Sequence, residues 1–293
     1  MKLKSLLLIV LLFCVISTGC APAPAAQVAA TTLPVYEFTV RLCQGTDITV
    51  VRLVTESVSC LHDYSLNVSQ VRAVESAEVV VLSGAGLEEF MEDVTAKAAL
   101  TIDASAGIEF LGCEEAHAHD HGDEHHHHDG DPHIWLSPAN AKIMAQNICR
   151  GLSARYPQYA SIFEANLVSL LADLDDLQAY GESALADLSC RELITFHDGF
   201  TYLAQAFDLH IIEAVEEESG SEASARELIH LIELTRQHRL PAIFTETNGS
   251  TSAAGIIAAE TGANVYTLDM VMSGDSYFEA MYHNIDTLKE ALG

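Results

Sequence analysis

The chain has 293 residues, and 49% of them are hydrophobic, which is enough apolar material for one large domain or two ordinary ones. Its 14 Lys and Arg against 42 Asp and Glu give a formal net charge of −28. A surface this negative repels phosphate backbones and anionic lipids and attracts cations, so we expect no nucleic acid partner.

The N-terminus predicts export. Residues 1–19 join a short basic start to an apolar run that is too brief to cross a membrane, as in a signal peptide. Ser17-Thr-Gly-Cys20 resembles a bacterial lipobox, with Ser17 where Leu is usual, and it predicts a lipid-modified Cys20. Residues 20–26 would form an Ala/Pro-rich tether. The protein would then be extracytoplasmic and held at the membrane, at the cell surface or in the periplasm, by its lipid alone. Cleavage that releases a soluble protein is the alternative.

Residues 27–156 alternate short β-branched runs with helical stretches, which is typical of a parallel sheet covered by helices. Ser69 is the predicted N-cap of one helix. The predicted strands are Val28–Ala30, Ile48–Leu53, Val79–Leu82 and Ala99–Ile102, and the predicted helices between them are Val35–Cys43 and Ser69–Ala77.

A long helical stretch over residues 157–188 follows a helix over Pro138–Tyr156. At ~1.5 Å per residue it would run about 45 Å, long enough to brace two lobes. The strand and helix alternation resumes in residues 189–293. The predicted strands there are Leu193–Phe196, Ile211–Glu213, Ala242–Thr245 and Asn264–Thr267, and the predicted helices are Glu222–His238, Ser252–Thr261 and Tyr277–Leu292. The chain therefore reads as an α/β protein whose two halves repeat one order of elements.

Residues 114–133 hold eight of the fourteen histidines, interleaved with Asp and Glu. Neutral imidazole suits zinc, copper and nickel, so we interpret this His-rich loop as a weak metal-collecting segment. A purification tag and a merely solvated acidic loop are the alternatives, but tags sit at termini and an acidic loop does not need histidine. The proposed collecting residues are His117, His119, His121, His125, His126, His127 and His128.

In open α/β sheets, ligand sites form beyond the carboxyl ends of the strands. Four coordinating side chains follow predicted strands at that edge, two in each lobe: His62, His133, His197 and Asp269. Three imidazoles and one carboxylate form a tetrahedral shell with the preferences of zinc, at roughly 2.0–2.2 Å per ligand. His210, His230, His238 and His283 have no matching partner and are predicted to be surface residues.

The motifs that contain these residues resemble those of the zinc and manganese solute-binding proteins of ABC uptake transporters. The motifs are His62-Asp-Tyr, Asp131-Pro-His-Ile-Trp-Leu-Ser-Pro, Phe196-His-Asp-Gly-Phe and Gly274-Asp-Ser-Tyr. The resemblance covers about residues 27–293. It implies two (β/α)4 lobes with mostly parallel sheets, residues 27–156 and 189–293, joined by one long rigid linking helix over residues 157–188, with the metal buried between the lobes.

The resemblance also implies a function, in which the protein captures Zn2+ and delivers it to an ABC permease. Zinc members are similar in having a third histidine and a His-rich insertion, so Zn2+ is favoured over Mn2+, which suits oxygen-rich sites. A manganese-specific protein of the same family and a metal-binding surface adhesin are the alternatives. We expect a monomer, and tighter binding at neutral than at acid pH because ligating histidines must be unprotonated.

Carboxylates beside the ligands are expected to fix the imidazole tautomers, and the candidates are Asp63, Asp198 and Glu246. The pairing of Cys43, Cys60, Cys113, Cys149 and Cys190 cannot be assigned from the sequence. Since Cys60 lies two residues before His62, it could reach the metal as a thiolate, but a disulfide with Cys43 is favoured. A zinc hydrolase is disfavoured, because four protein ligands leave no open position for water and no H-E-x-x-H motif is present.

Overall fold

The computed structural model describes residues 26–58, 61, 64–112, 130–215 and 223–293. The first half of the chain builds one sheet and its covering helices. Its elements are β1 (Val28–Ala30), α1 (Leu33–Leu42), β2 (Val50–Arg52), α2 (Val68–Ser76), β3 (Val79–Leu82), α3 (Glu92–Thr95), β4 (Thr101–Asp103) and α4 (Pro138–Arg155).

The second half follows one long helix and repeats the same plan. Its elements are α5 (Ala160–Ala184), β5 (Glu192–Thr195), α6 (Thr201–Ala206), β6 (His210–Ala214), α7 (Ala225–His238), β7 (Ala242–Glu246), α8 (Ser252–Thr261), β8 (Asn264–Leu268) and α9 (Tyr277–Leu292). Within the described ranges, none of the helices is both long enough and apolar enough to cross a membrane.

Both sheets have four parallel strands in one topology. The first has the order β2-β1-β3-β4 and the second β6-β5-β7-β8. β1 and most of β3 are fully buried, as expected of central parallel strands that are covered on both faces. The order of connections reverses between β1 and β3 and between β5 and β7, which are the switch points where ligand crevices form. The α/β fold with two parallel sheets is thus confirmed.

The long stretch at residues 157–188 is not one uninterrupted helix. A 3-10 turn over Pro157–Tyr159 precedes α5, which ends at Ala184. Its 25 residues correspond to roughly 37 Å, shorter than the 45 Å expected from the sequence. α5 packs on α1, α4 and α9, so it contacts elements from both halves of the chain. One continuous apolar core runs from β1 through α4 and α5 to α9.

Two predictions about the first lobe are wrong. The N-cap of α2 is Asn67 and not Ser69, because the Asn67 side chain accepts the backbone N–H groups of Ser69 and Gln70 while the Gln70 side chain accepts that of Asn67. The Cys43–Cys60 disulfide is also wrong, since Cys43 is a free and buried thiol. Cys43 is the C-cap of α1, and Cys60 lies outside the described part of the chain.

The segment between β8 and α9 joins the second lobe to the first. The Leu33 N–H donates to the Met272 carbonyl at 3.1 Å, and the Arg52 guanidinium donates to the Gly274 carbonyl at 2.7 Å. Glu37 on α1 accepts the Tyr277 N–H at the start of α9, so an acidic side chain of one lobe caps a helix of the other. The Tyr277 hydroxyl donates to the Trp135 carbonyl at 2.9 Å. These contacts fix the two lobes against each other.

Candidate metal site

His133 lies in the first lobe, directly before the 3-10 turn Ile134–Leu136 that leads into α4. It is only 5% exposed. The Asp131 Oδ1 atom is 2.9 Å from the His133 backbone N and 2.8 Å from its Nδ1. A proton on Nδ1 is held by this carboxylate, and Nε2 is then left as the lone-pair nitrogen that a metal requires.

His197 lies in the second lobe, two residues after β5 ends. Its ring meets that of His133 edge to face, with ring centroids 5.3 Å apart and an interplanar angle of 82°. The two imidazoles therefore come together across the cleft between the lobes. Bringing two imidazoles this close without a hydrogen bond between them is the arrangement expected of ligands to one cation.

Gly199 explains how the rings approach. A Cβ atom on this residue would lie 2.7 Å from His197 Cδ2, 3.0 Å from His133 Cε1 and 2.5 Å from Met270 Cε. The backbone of Gly199 therefore borders one ring carbon of each imidazole, Cδ2 of His197 and Cε1 of His133. A residue without a side chain is required there by the close approach of the two rings.

Glu246 ends β7, the strand next to β5, so it stands at the switch point of the second sheet. Its Oε2 atom lies 3.7 Å from His197 Nδ1, and the residue is 8% exposed. The structure thus places this predicted carboxylate beside Nδ1 of His197, at a distance longer than a hydrogen bond. Asp198, predicted for a similar role, is exposed.

Asp269 follows β8, and its carboxylate is oriented by a local turn. The Val271 N–H donates to Asp269 Oδ1 at 2.6 Å, while the buried Asn284 side chain bonds both the Asp269 N–H and its carbonyl. The next residue, Met270, accepts the Trp135 indole N–H at 2.8 Å. Asp269 is thereby fastened to the segment that contains His133.

A cavity of about 400 Å³ opens between the lobes beside these residues. Asp269, Met270 and Glu246 line it from the second lobe, and Arg52 and Ser57 from the first. Its lining is largely polar, which suits a hydrated cation that approaches through it.

Several predicted site residues lie outside the described part of the chain. They are His62, Asp63, the seven collecting histidines and Cys20. Within the described ranges, no three His, Cys, Asp or Glu side chains form a group that could hold a metal ion. The described part of the candidate shell is therefore a pair of adjoining imidazoles, with Asp269 held nearby through Met270.

The four other histidines were predicted to be surface residues. His210, His230 and His283 are exposed, whereas His238 is half-buried with Nδ1 2.9 Å from Glu192.

Sequence reasoning missed two residues that border the candidate ligands, Asp131 and Gly199. Asp131 was visible as part of the Asp131-Pro-His motif, and its position two residues before the candidate ligand His133 is a signal for a side chain that turns back onto that histidine. Gly199 was visible only as one residue of the Phe196-His-Asp-Gly-Phe motif. Its role could not be predicted, because it depends on contact with the ring of His133 from the other lobe.

A two-lobed α/β architecture with imidazoles meeting in the cleft defines the class of metal-binding solute-binding proteins. The chain belongs to the ZnuA family, described as zinc-uptake complex component A, periplasmic, whose model matches residues 28–291.

Individual relatives agree with this assignment. The chain is 30% identical over 279 residues to the zinc-binding lipoprotein AdcA of Streptococcus pneumoniae, covering 90% of this chain and 55% of AdcA. It spans about half the length of that relative. Among solved structures, a crystal structure of ZnuA matches with a TM-score of 0.77 and 30% identity over 92% of this chain and all of the other. Zn(II)-bound AdcA from Streptococcus pneumoniae matches with a TM-score of 0.75 and 26% identity, over 90% and 57% of the two chains.

Proposed function

We propose that this protein captures Zn2+ outside the cytoplasm, holds it between its lobes and delivers it to an ABC permease. The observation that supports this most directly is the meeting of the His133 and His197 rings, one from each lobe, beside the same glycine. Membership of the ZnuA family, described as a component of a zinc-uptake complex, supports the delivery of the ion to a permease.

The donor set favours zinc over manganese. Imidazole nitrogen suits Zn2+, whereas Mn2+ is held mainly by carboxylate, carbonyl and water oxygens. With His62 and Asp269 added, the proposed shell has three nitrogens and one oxygen, which fills a tetrahedral zinc site. Four protein ligands leave no position for a reacting water, so we propose a carrier and not an enzyme.

The N-terminal prediction completes the proposal. Cys20 would bear the lipid that keeps the protein at the outer face of the membrane, and residues 20–26 would give it reach. Globomycin treatment, which blocks removal of lipoprotein signal peptides, tests this: the precursor should accumulate, and unchanged processing would contradict lipidation at Cys20.

Calorimetric titration of the mature protein with Zn2+ tests the site. Wild type should bind one ion tightly, and His133→Ala, His197→Ala, His62→Ala and Asp269→Ala should each weaken that binding by about a hundredfold or more, because each removes a direct ligand. His283→Ala, an exposed histidine on α9, is the matched control. Wild-type binding in the four ligand variants would contradict the assignment.

The His-rich loop is proposed to collect zinc at weaker sites beside the tight one. Deleting residues 114–129 should lower the number of weakly bound ions and leave one tight ion, as measured by elemental analysis after dialysis at increasing zinc. Loss of the tight ion in the deletion variant would contradict the collector role.

A further inference from the structure

Tyr202 on α6 reaches out of the second lobe and fastens two separate segments of the first. Its hydroxyl accepts the Leu111 N–H at 3.0 Å and donates to the Asp131 carbonyl at 3.0 Å. The Tyr202 side chain is 2% exposed, and its two partners are half-buried, so both bonds are partly shielded from bulk water. Buried bonds of this kind strengthen each other and are costly to leave unmade.

The two segments that Tyr202 joins lie on either side of the chain between Leu111 and Asp131, which contains most of the His-rich loop. The Asp131 N–H also donates to the Leu111 carbonyl at 2.8 Å, which closes the base of the loop by a backbone hydrogen bond. Tyr202 thus completes a three-way junction in which the hydroxyl of one lobe bridges the base of a loop of the other.

Asp131 connects this junction to the candidate metal site. While its backbone bonds Tyr202 and Leu111, its Oδ1 atom contacts both the backbone N and Nδ1 of His133. The other carboxylate oxygen, Oδ2, is buried and has no hydrogen-bond partner within the described ranges. The placement of the carboxylate therefore depends on the backbone of Asp131, which Tyr202 holds.

We propose that the Tyr202 hydroxyl is a positioning residue for metal binding, which holds Asp131 so that Asp131 in turn orients His133. The inference rests on the proposed zinc function and adds a residue to it. Tyr202 follows His197 by five positions on the same stretch of chain. One short segment of the second lobe therefore supplies one imidazole and aligns the other.

Tyr202→Phe removes the hydroxyl and keeps the buried ring. Because a group that orients a metal-binding histidine is typically worth 10- to 100-fold in metal affinity, the variant should bind Zn2+ about tenfold or more weakly in a chelator competition assay. The visible absorption bands of the Co2+-substituted protein should also shift, since these bands report the geometry of the ligands.

Tyr156→Phe is the matched control. Tyr156 is also buried, and its hydroxyl donates to Glu78 at 3.3 Å, but it follows the far end of α4, a helix about 27 Å long whose other end lies nearer His133. This variant should retain wild-type zinc affinity and the wild-type Co2+ spectrum even if its melting temperature falls.

A double-mutant cycle that combines Tyr202→Phe with Asp131→Asn tests whether Tyr202 acts through Asp131. If Tyr202 acts through Asp131, the double variant should bind zinc little more weakly than Asp131→Asn alone. Additive losses, or wild-type affinity and Co2+ spectrum in Tyr202→Phe, would overturn the inference while leaving the zinc function intact. Failure of the wild-type protein to bind one tight zinc ion would instead overturn the proposed function.

Discussion

Gly199 borders one ring carbon of each of two imidazoles that come from different lobes, and the space beside it is too small for a methyl group. Its φ is not in the left-handed region, so an alanine there would not strain the backbone. Any effect of such a change arises from displacement of the rings of His133 and His197 or of the Met270 methyl group.

Gly199→Ala is therefore expected to weaken zinc binding by about tenfold or more, through misplaced ligands and not through unfolding. Gly255→Ala is the control, because a Cβ on that helical glycine meets no atom within 4 Å. Titration calorimetry gives the affinities, and equal zinc affinity in the two variants would contradict the proposed position of the metal.

Glu88 is a buried carboxyl in the first lobe that does not belong to the metal site. Its oxygens accept hydrogen bonds from the Thr31 hydroxyl and from the backbone N–H groups of Ser83 and Gly84, at the switch point between β1 and β3. Burial raises its pKa from 4.5 to about 7, against the opposing effect of these three hydrogen bonds. Glu88 is thus neutral in the folded protein at mildly acid pH.

A raised pKa in the folded state makes stability fall as pH rises. Below pH 4.5 the carboxyl is protonated in both states, and between about 4.5 and 7 only the unfolded state releases the proton, which favours unfolding. The difference in free energy of unfolding between wild type and Glu88→Gln should therefore shift against wild type from pH 4.5 to 7 and level off above. Urea titrations across this range measure it, and a flat difference would contradict the assignment.

At the scale of elements, the sequence predicts the strands well, because a short run of apolar residues is enough to indicate a buried strand. β1 and β3 are short, uninterrupted apolar runs, and their predicted bounds match the structure. The ends of helices are harder, since several residues compete to cap them. At α2, Ser69 and Asn67 both have capping side chains, and the reciprocal bond from Gln70 selects Asn67.

This cap gives a simple stability test. Asn67→Ala removes the acceptor of two backbone N–H groups and should lower the free energy of unfolding by about 1 kcal/mol, whereas Ser69→Ala should change it by less than about 0.5 kcal/mol. Urea denaturation of the two variants measures both values. A larger loss for Ser69→Ala would mean that the helix begins elsewhere in solution.

The predicted Cys43–Cys60 disulfide is wrong, because Cys43 is a free thiol. The position of Cys43 in the fold could not be read from the sequence. α1 runs antiparallel to the strands, so its 10 residues carry the chain about 15 Å from the carboxyl edge before Cys43. Nothing in the spacing of Cys43 and Cys60 shows this. Burial also raises the pKa of the Cys43 thiol to about 12, which disfavours the thiolate that disulfide exchange requires.

At the scale of the whole molecule, the candidate site depends on how the lobes meet. The expectation that ligands follow the carboxyl ends of strands predicted His133 and His197 as candidate ligands from the sequence alone. In the structure their two rings lie in contact. The contacts that Tyr202 and Gly199 make with the first lobe could not be predicted, because the sequence of one segment does not give its distance from another.

The two lobes are held together by many packing contacts and hydrogen bonds, and not by the linking helix alone. The apolar core is continuous from one lobe to the other, and the segment between β8 and α9 is bonded to Leu33, Arg52 and Trp135 of the first lobe. Asp269 begins this segment. These contacts hold Asp269 in place, so the described part of the proposed site needs little ordering to bind a cation.

Anomalous diffraction at the zinc edge, from crystals of the zinc-loaded protein, tests the central claim most directly. The account predicts one strong peak between the lobes, about 2.0–2.2 Å from Nε2 of both His133 and His197 and bonded also to His62 and Asp269. A strong peak elsewhere, with the cleft imidazoles more than about 4 Å from any metal, would contradict it.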